Sequence, residues 1–144
     1  MKIQNLLVVD SSVAAKWLIV QDELYIRQAD KILADTKDGL VKLLMPELAQ
    51  YEIGNVLINK KLRLSDVKEA LNFFYKIPIS FYKESYKLAI LTAQIAFKYG
   101  ITFYDAAFIA LAKVQKADLV TDNPKHQKKY QGKEVKVIPL KNYK

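Results

Sequence analysis

Short apolar runs and amphipathic stretches alternate along this chain. Residues 6–10, Leu-Leu-Val-Val-Asp, form an apolar run closed by an acid. That pattern predicts a buried parallel strand whose last residue emerges at the sheet edge. The segment SSVAAKWLIV follows, with Ser11 or Ser12 placed to cap a helix. Residues 22–36 continue helical, with Leu24, Ala29, Ile32 and Leu33 recurring on one face, and Gly39 breaks the pattern. Residues 41–45 predict a second strand, and Pro46 suits the first turn of a helix over 47–62. Ser65 opens a further helix with Val67, Ala70, Leu71 and Phe74 as its core face, stopped by Pro78. Residues 79–82 read as a third strand and 84–99 as an amphipathic helix ended by Gly100. Thr102 starts a nearly all-apolar helix over 103–116. Residues 118–121 are the fourth strand and 135–138 the fifth.

Strands alternating with helices predict an α/β protein, a parallel sheet with helices on both faces. The 144 residues fit one domain, 1–144, without repeat or linker. In open α/β sheets the chemistry gathers at the carboxyl ends of the strands, so the residues just after each strand carry most weight. The chain has no cysteine, which excludes disulfides, zinc-thiolate sites, iron–sulfur clusters and cysteine nucleophiles. Its longest apolar runs are five to seven residues, short of the roughly 20 that span a membrane. The apolar start ends in Asp10 with no small-residue cleavage site after it, so it reads as a strand of a cytoplasmic protein, not a signal peptide. A net charge of +8 makes nucleic acid the first partner to consider. The excess is concentrated at the end: Lys125 to Lys144 holds seven lysines against one acid, Glu134. Tyr130 and Tyr143 among them are candidates to stack on bases, although such a segment is also an ordinary solvated edge.

Four acids fall where the pattern predicts strand ends and adjoining helices. Asp10 ends the first strand, where a carboxylate is also a natural helix N-cap. Glu52 lies in an otherwise apolar helix, on one face with Asn55 and Asn59. A buried carboxylate there needs partners, whereas a solvent-facing stripe needs none. Asp105 stands three residues after Thr102, the spacing of a capping box, and is the sole acid between Gly100 and Val114. Asp122 follows the fourth strand, beside the neutral oxygen donor Asn123. Gathered at one edge, these carboxylates repel unless protonated or bridged by a cation. Magnesium favours such oxygen ligands, and a bound divalent ion stabilises charge on a phosphodiester.

With Asp10, Glu52, Asp105 and Asp122 in this order, the chain resembles a PIN domain, and is most similar to the VapC-like toxins of type II toxin–antitoxin pairs. The segments that carry the likeness are VVDSSVAAKW at 8–17, YEIGNVL at 51–57, FYDAAFIALA at 103–112 and LVTDN at 119–123. The resemblance implies a three-layer α/β/α sandwich with a five-stranded parallel sheet. It implies Mg2+- or Mn2+-dependent cleavage of single-stranded RNA, homodimerisation, and inhibition by a cognate antitoxin. It places the first family acid on Asp10 with Ser12 as the accompanying hydroxyl, the glutamate on Glu52 with Asn55 beside it, and the third acid on Asp105. Asp10 and Asp105 are the expected principal metal ligands. At the fourth position the family often reads threonine, any residue, aspartate. Here Thr121 is followed by Asp122 and Asn123, so the strict register puts Asn123 in the acid's place, and a one-residue shift would let Asp122 serve. Lys125, Lys128, Lys129 and Lys133 follow this loop as candidate RNA-binding residues.

Other chemistries fit poorly. A receiver domain needs a second acid beside Asp10 and a phosphorylatable aspartate after the middle strand, where Met45 and Pro46 stand. A haloacid-type phosphatase wants an aspartate where Ser12 is. The four glycines are isolated, which argues against a nucleotide-binding loop. His126, the sole histidine, supports no histidine-based triad or zinc site. The remaining alternative is a catalytically weak PIN-like module that only binds RNA or protein.

Overall fold

The computed structural model describes residues 4–19, 24–123, 129–130 and 132–144. Lys125, His126 and Lys128, and the first two residues of the helix expected from 22, lie outside the described residues. The elements run β1 (Asn5–Val9), α1 (Ser11–Leu18), α2 (Ile26–Lys37), β2 (Val41–Pro46), α3 (Leu48–Asn59), α4 (Leu64–Lys76), β3 (Ile79–Tyr82), α5 (Tyr86–Tyr99), α6 (Phe103–Gln115), β4 (Asp118–Thr121) and β5 (Val137–Pro139), then a short 3-10 turn at Leu140–Asn142.

The five strands form one all-parallel sheet in the order β3-β2-β1-β4-β5, flanked by the six helices, as expected for a PIN-like α/β/α fold. Leu7, Val8 and Val9 of β1 and Leu43, Leu44 and Met45 of β2 are buried. Continuous apolar runs of this kind are what central parallel strands covered on both faces require. Helix α6 is the innermost helix, with every residue from Ala106 to Ala112 buried. Its alanines let the backbone approach β1, β2 and β4 closely.

Local signals account for several boundaries. The Ser85 hydroxyl accepts the Leu88 N–H at 3.1 Å and starts α5. Gly100, with φ +63°, ends α5 in the left-handed region that glycine adopts without strain. Other expectations shift. Pro46 closes β2, paired with Tyr82, instead of entering the next helix. The chain is tied on immediately by the Glu47 N–H donating to the Tyr82 carbonyl at 2.9 Å. Strand β5 lies at 137–139, two residues later at its start than the apolar run suggests. It is an edge strand, where Pro139 removes no ladder bond. Helix α2 begins at Ile26 after Tyr25 in the left-handed region. Leu24 therefore leaves the core face and is 68% exposed. Helix α4 starts at Leu64 with Arg63 in the cap position and no side-chain cap bond, so Ser65 does not open it.

The C-terminal residues are clamped to α2. The Tyr143 hydroxyl donates to Asp35 Oδ2 at 2.8 Å. Lys31 Nζ donates to both Asp35 oxygens at 2.9 and 3.1 Å. Burial would raise the Asp35 carboxyl, but these donors bring it below its ordinary value, while burial and the Asp35 charge push the Tyr143 phenol up. Tyr143→Phe is expected to cost about 1–2 kcal/mol, a charge-assisted hydrogen bond discounted for partial exposure. Urea unfolding checks this, and an unchanged midpoint would show the clamp to be without weight.

Candidate active site

The strand order reverses between β1 and β4, and such a switch point opens a crevice at the carboxyl ends of the strands. There the Asp10 N–H donates to the Val120 carbonyl at 3.0 Å, tying the end of β1 to β4. Asp10 occupies the N-cap position of α1, and its carbonyl accepts the Val13 and Ala14 N–H groups. Its side chain makes no cap bond. The carboxylate instead accepts the Thr121 hydroxyl at 2.8 Å, turned toward β4. The capping alternative for Asp10 thus holds for the backbone and fails for the carboxylate.

Glu52 is half-buried on α3, where it faces α1. The Ser11 hydroxyl donates to Glu52 Oε1 at 2.9 Å. Burial first, and then the negative charges of Asp10 and Asp105, push its carboxyl above the ordinary glutamate range, against the pull of the Ser11 bond. Asn55 and Asn59, on the same helical face, are exposed, so the polar stripe enters the crevice at Glu52 and runs outward to solvent. Asp105 sits in the first turn of α6, half-buried, with its N–H capped by the Thr102 hydroxyl at 3.1 Å. This is one half of the capping box that the spacing suggests.

The loop after β4 folds back on α1. The Thr121 hydroxyl accepts the Asn123 N–H at 3.0 Å. The Asp122 N–H donates to Ser12 Oγ at 3.1 Å, and Asp122 Oδ2 pairs with Lys16 Nζ at 3.1 Å. Three carboxylates, those of Asp10, Glu52 and Asp105, are therefore brought into electrostatic contact, while Asp122 is engaged by α1. Two participants escaped the sequence reading. In the sequence Ser11 reads as a helix cap alone. Lys16 left a signal, a lone lysine in an apolar helical run four residues after Ser12.

Of the lysine-rich segment, residues 129–130 and 132–144 are described. Lys129 and Lys133 are exposed. Tyr130 packs edge-to-face on Tyr99, ring centroids 4.7 Å apart, so this ring is used by the fold. Tyr143 is likewise held on Asp35. Glu134 pairs with Lys113 at 2.6 Å. Lys113 lies eight residues beyond Asp105, about 12 Å along α6 at 1.5 Å per residue. By Lys133 the chain has therefore left the carboxylate edge.

The donor set suits a hard divalent cation. Among the described residues no three acidic or histidine side chains close on a single point as a cage. Magnesium does not require one, because it commonly takes one or two carboxylates and completes its shell with water and phosphate. The Glu52 carboxyl is raised by burial first and then by the Asp10 and Asp105 charges, a repulsion that a cation among the three would offset. Because the folded value lies above the unfolded one, ionised Glu52 weighs against the fold as pH rises through the folded value. Below the ordinary glutamate range both states are protonated and the penalty disappears. Glu52→Gln, which keeps an oxygen for Ser11, is expected to raise the Tm of metal-free protein at pH 7. The gain should shrink toward zero below about pH 4. Calorimetry across that range checks the sign, and a gain undiminished at low pH would point to packing instead.

The chain belongs to the PIN-domain family, matched by the family model over residues 7–132. Comparison with curated proteins gives no match. Among solved structures the fold is similar to a chain of VapBC2 from Rickettsia felis bound to a DNA fragment from its promoter, at 12% identity over 93% of this chain and 98% of that one, TM-score 0.68. It is similar to PAE2754 from Pyrobaculum aerophilum, at 22% identity over 98% and 93%, TM-score 0.67. It is also similar to VapC20 from Mycobacterium tuberculosis, a toxin that cleaves the sarcin–ricin loop, at 13% identity over 78% and 86%, TM-score 0.62. At these identities the likeness is one of fold.

Proposed function

We propose that this chain is a ribonuclease that cleaves single-stranded RNA with Mg2+ or Mn2+, and is the toxin of a cytoplasmic toxin–antitoxin pair, its residues 1–144 acting as one domain. The observation that carries the reading is the carboxylate of Asp10. It is diverted from its own helix by Thr121 and stands near Glu52, whose carboxyl is raised by burial and then by the Asp10 and Asp105 charges. Catalysis falls to Asp10, Glu52 and Asp105, with Asp10 and Asp105 as metal ligands. The cation, when bound, favours ionisation of water and offsets charge on the phosphodiester.

The side chains supply the rest. Thr121 orients Asp10, and Ser11 orients Glu52. Glu52, with its affinity for protons raised, accepts the proton of the attacking water. The water oxygen bonds to phosphorus, the bond to the 3′ oxygen breaks, and that oxygen takes a proton from solvent water, to which Glu52 then releases its own. Ser12 is occupied with the Asp122 N–H, which places its hydroxyl in loop positioning. Asn55, exposed one turn from Glu52, is a candidate substrate contact. The test is incubation of a single-stranded RNA with Mn2+ and analysis of the new ends. A 5′-phosphate is expected. A 2′,3′-cyclic phosphate would require attack by the RNA's own hydroxyl and would overturn the mechanism.

Lys125, Lys128, Lys129 and Lys133 are proposed to grip the RNA backbone without reading its bases. Each phosphate contact on a single strand contributes about −0.7 to the slope of log affinity against log salt. Lys128→Ala with Lys129→Ala should flatten the slope by roughly 1 to 1.5 units. An unchanged slope would place the RNA elsewhere.

Two surfaces support protein partners. Tyr86, Ile90 and Phe97 line one face of α5, with Phe97 92% exposed, an apolar stripe suited to a homodimer. The second lies between α1 and α4, a groove of about 370 Å³ lined by Trp17, Leu18, Leu62, Ala70 and Phe73 with Asp66 and Glu69. Its apolar floor and acidic groups suit a basic amphipathic segment of an antitoxin. Among the described residues no single helix is long and apolar enough to cross a membrane. One observation favours the alternative, a catalytically weak RNA- or protein-binding module: the engagement of Asp122 by Lys16, with neutral Asn123 beside it. Absence of cleavage together with retained RNA binding would decide for that module.

A further inference from the structure

Lys16 stands on α1 between Ala15 and Trp17 and is 4% exposed. Burial of an ammonium group is costly unless a counter-charge and good geometry offset it. Lys16 has that counter-charge in Asp122, whose Oδ2 lies 3.1 Å from Nζ. Ser12 and Lys16 are one helical turn apart on the same face of α1. They hold Asp122 at two points, Ser12 through its backbone N–H and Lys16 through its carboxylate. The residues on either side of this anchor serve the crevice. Thr121 donates its hydroxyl to Asp10, and the Asn123 N–H donates to that same hydroxyl oxygen.

We propose that Lys16 is a positioning residue that takes the Asp122 carboxylate as its counter-ion and thereby fixes the Thr121–Asp122–Asn123 turn, so that Thr121 is aimed at Asp10. The Asp122 carboxylate is then structural, and is not the fourth acid of the site. This deepens the nuclease reading and rests on it for its catalytic consequence. The placement of the turn itself does not.

The test compares Lys16→Met, Asp122→Asn and the double variant in four measurements. These are kcat and KM per folded molecule, Mn2+ affinity by calorimetry without RNA, thermal stability, and NMR hydrogen exchange at the Asp122 and Asn123 amides. Supporting residues behind a metal site typically contribute 10- to 100-fold to activity or affinity. Each single variant is expected to lower kcat by roughly tenfold or more, with KM little changed. The double variant should be no worse than either single one, because the two residues act as a unit. Lys16→Met should also speed exchange at both amides.

Three results would overturn the proposal. Unchanged kcat per folded molecule and unchanged Mn2+ affinity, with stability alone reduced, would make the pair a structural bridge. Loss of Mn2+ binding in Asp122→Asn but not in Lys16→Met would make Asp122 a direct ligand. Additive losses would show that Lys16 acts independently of Asp122. If the wild-type protein cuts no RNA, the exchange measurement still decides whether Lys16 holds the turn, so the two readings fail separately.

Discussion

Asp10→Asn protein is expected to fold and to lose RNA cleavage by at least about 100- to 1000-fold, the scale on which removal of one preorganised electrostatic partner is felt. The substitution preserves shape. The amide oxygen still accepts the Thr121 hydroxyl, and the backbone still caps α1 through Val13 and Ala14. What disappears is one unit of negative charge beside Glu52, whose carboxyl is raised by burial and then by the Asp10 and Asp105 charges. Two consequences follow from the same cause. Mn2+ affinity should fall, because a ligand of cations has become neutral. The Tm of metal-free protein should rise slightly, because repulsion between carboxylates is relieved. Purified Asp10→Asn protein that cut RNA at the wild-type rate would remove Asp10 from the mechanism.

The second large effect concerns the helix that carries the site. Trp17→Ala is expected to destabilise the fold by about 3–5 kcal/mol, a substantial share of the about 5–15 kcal/mol that holds a typical domain together. Trp17 is buried, and its indole N–H donates to the Ala29 carbonyl at 2.8 Å. That bond fixes α1 against α2. Truncation leaves both a cavity and an orphaned carbonyl. Trp17→Phe keeps most of the apolar area and should lose only about 1–3 kcal/mol, the cost of leaving that acceptor without its donor. Urea unfolding followed by circular dichroism measures both, since the chain has a single tryptophan and its fluorescence goes with it. Equal losses in the two variants would mean that the hydrogen bond, not the packing, carries the stability. Because Asp10, Ser11, Ser12 and Lys16 stand at the start of α1 or along it, loosening this helix should also lower activity per folded molecule.

Local chemistry was enough to read much of this protein from its sequence. The run before Asp10, the capping threonine at 102, Gly100 after α5 and the strand at 118–121 are each set by residues within a few positions, through backbone preference and side-chain-to-backbone bonds. The alternation of apolar runs and stripes likewise announced a parallel sheet covered on both faces, and the motifs around the acids announced the family. Only the tertiary structure decided which groups the acids meet. Asp10 and Thr121 are 111 residues apart, and Ser12 and Asp122 are 110 apart. No local preference reports a bond of that span, so the diversion of Asp10 from its cap was invisible until β4 lay beside β1. The same holds for Lys16, which meets Asp122 from the far end of β4. Tyr130 and Tyr143, exposed by composition to a reading as base-stacking residues, were claimed by Tyr99 and Asp35, because the fold brings those partners within contact distance. Patterns of apolar residues determine which face is buried. Which polar group meets which is determined by the order of the strands.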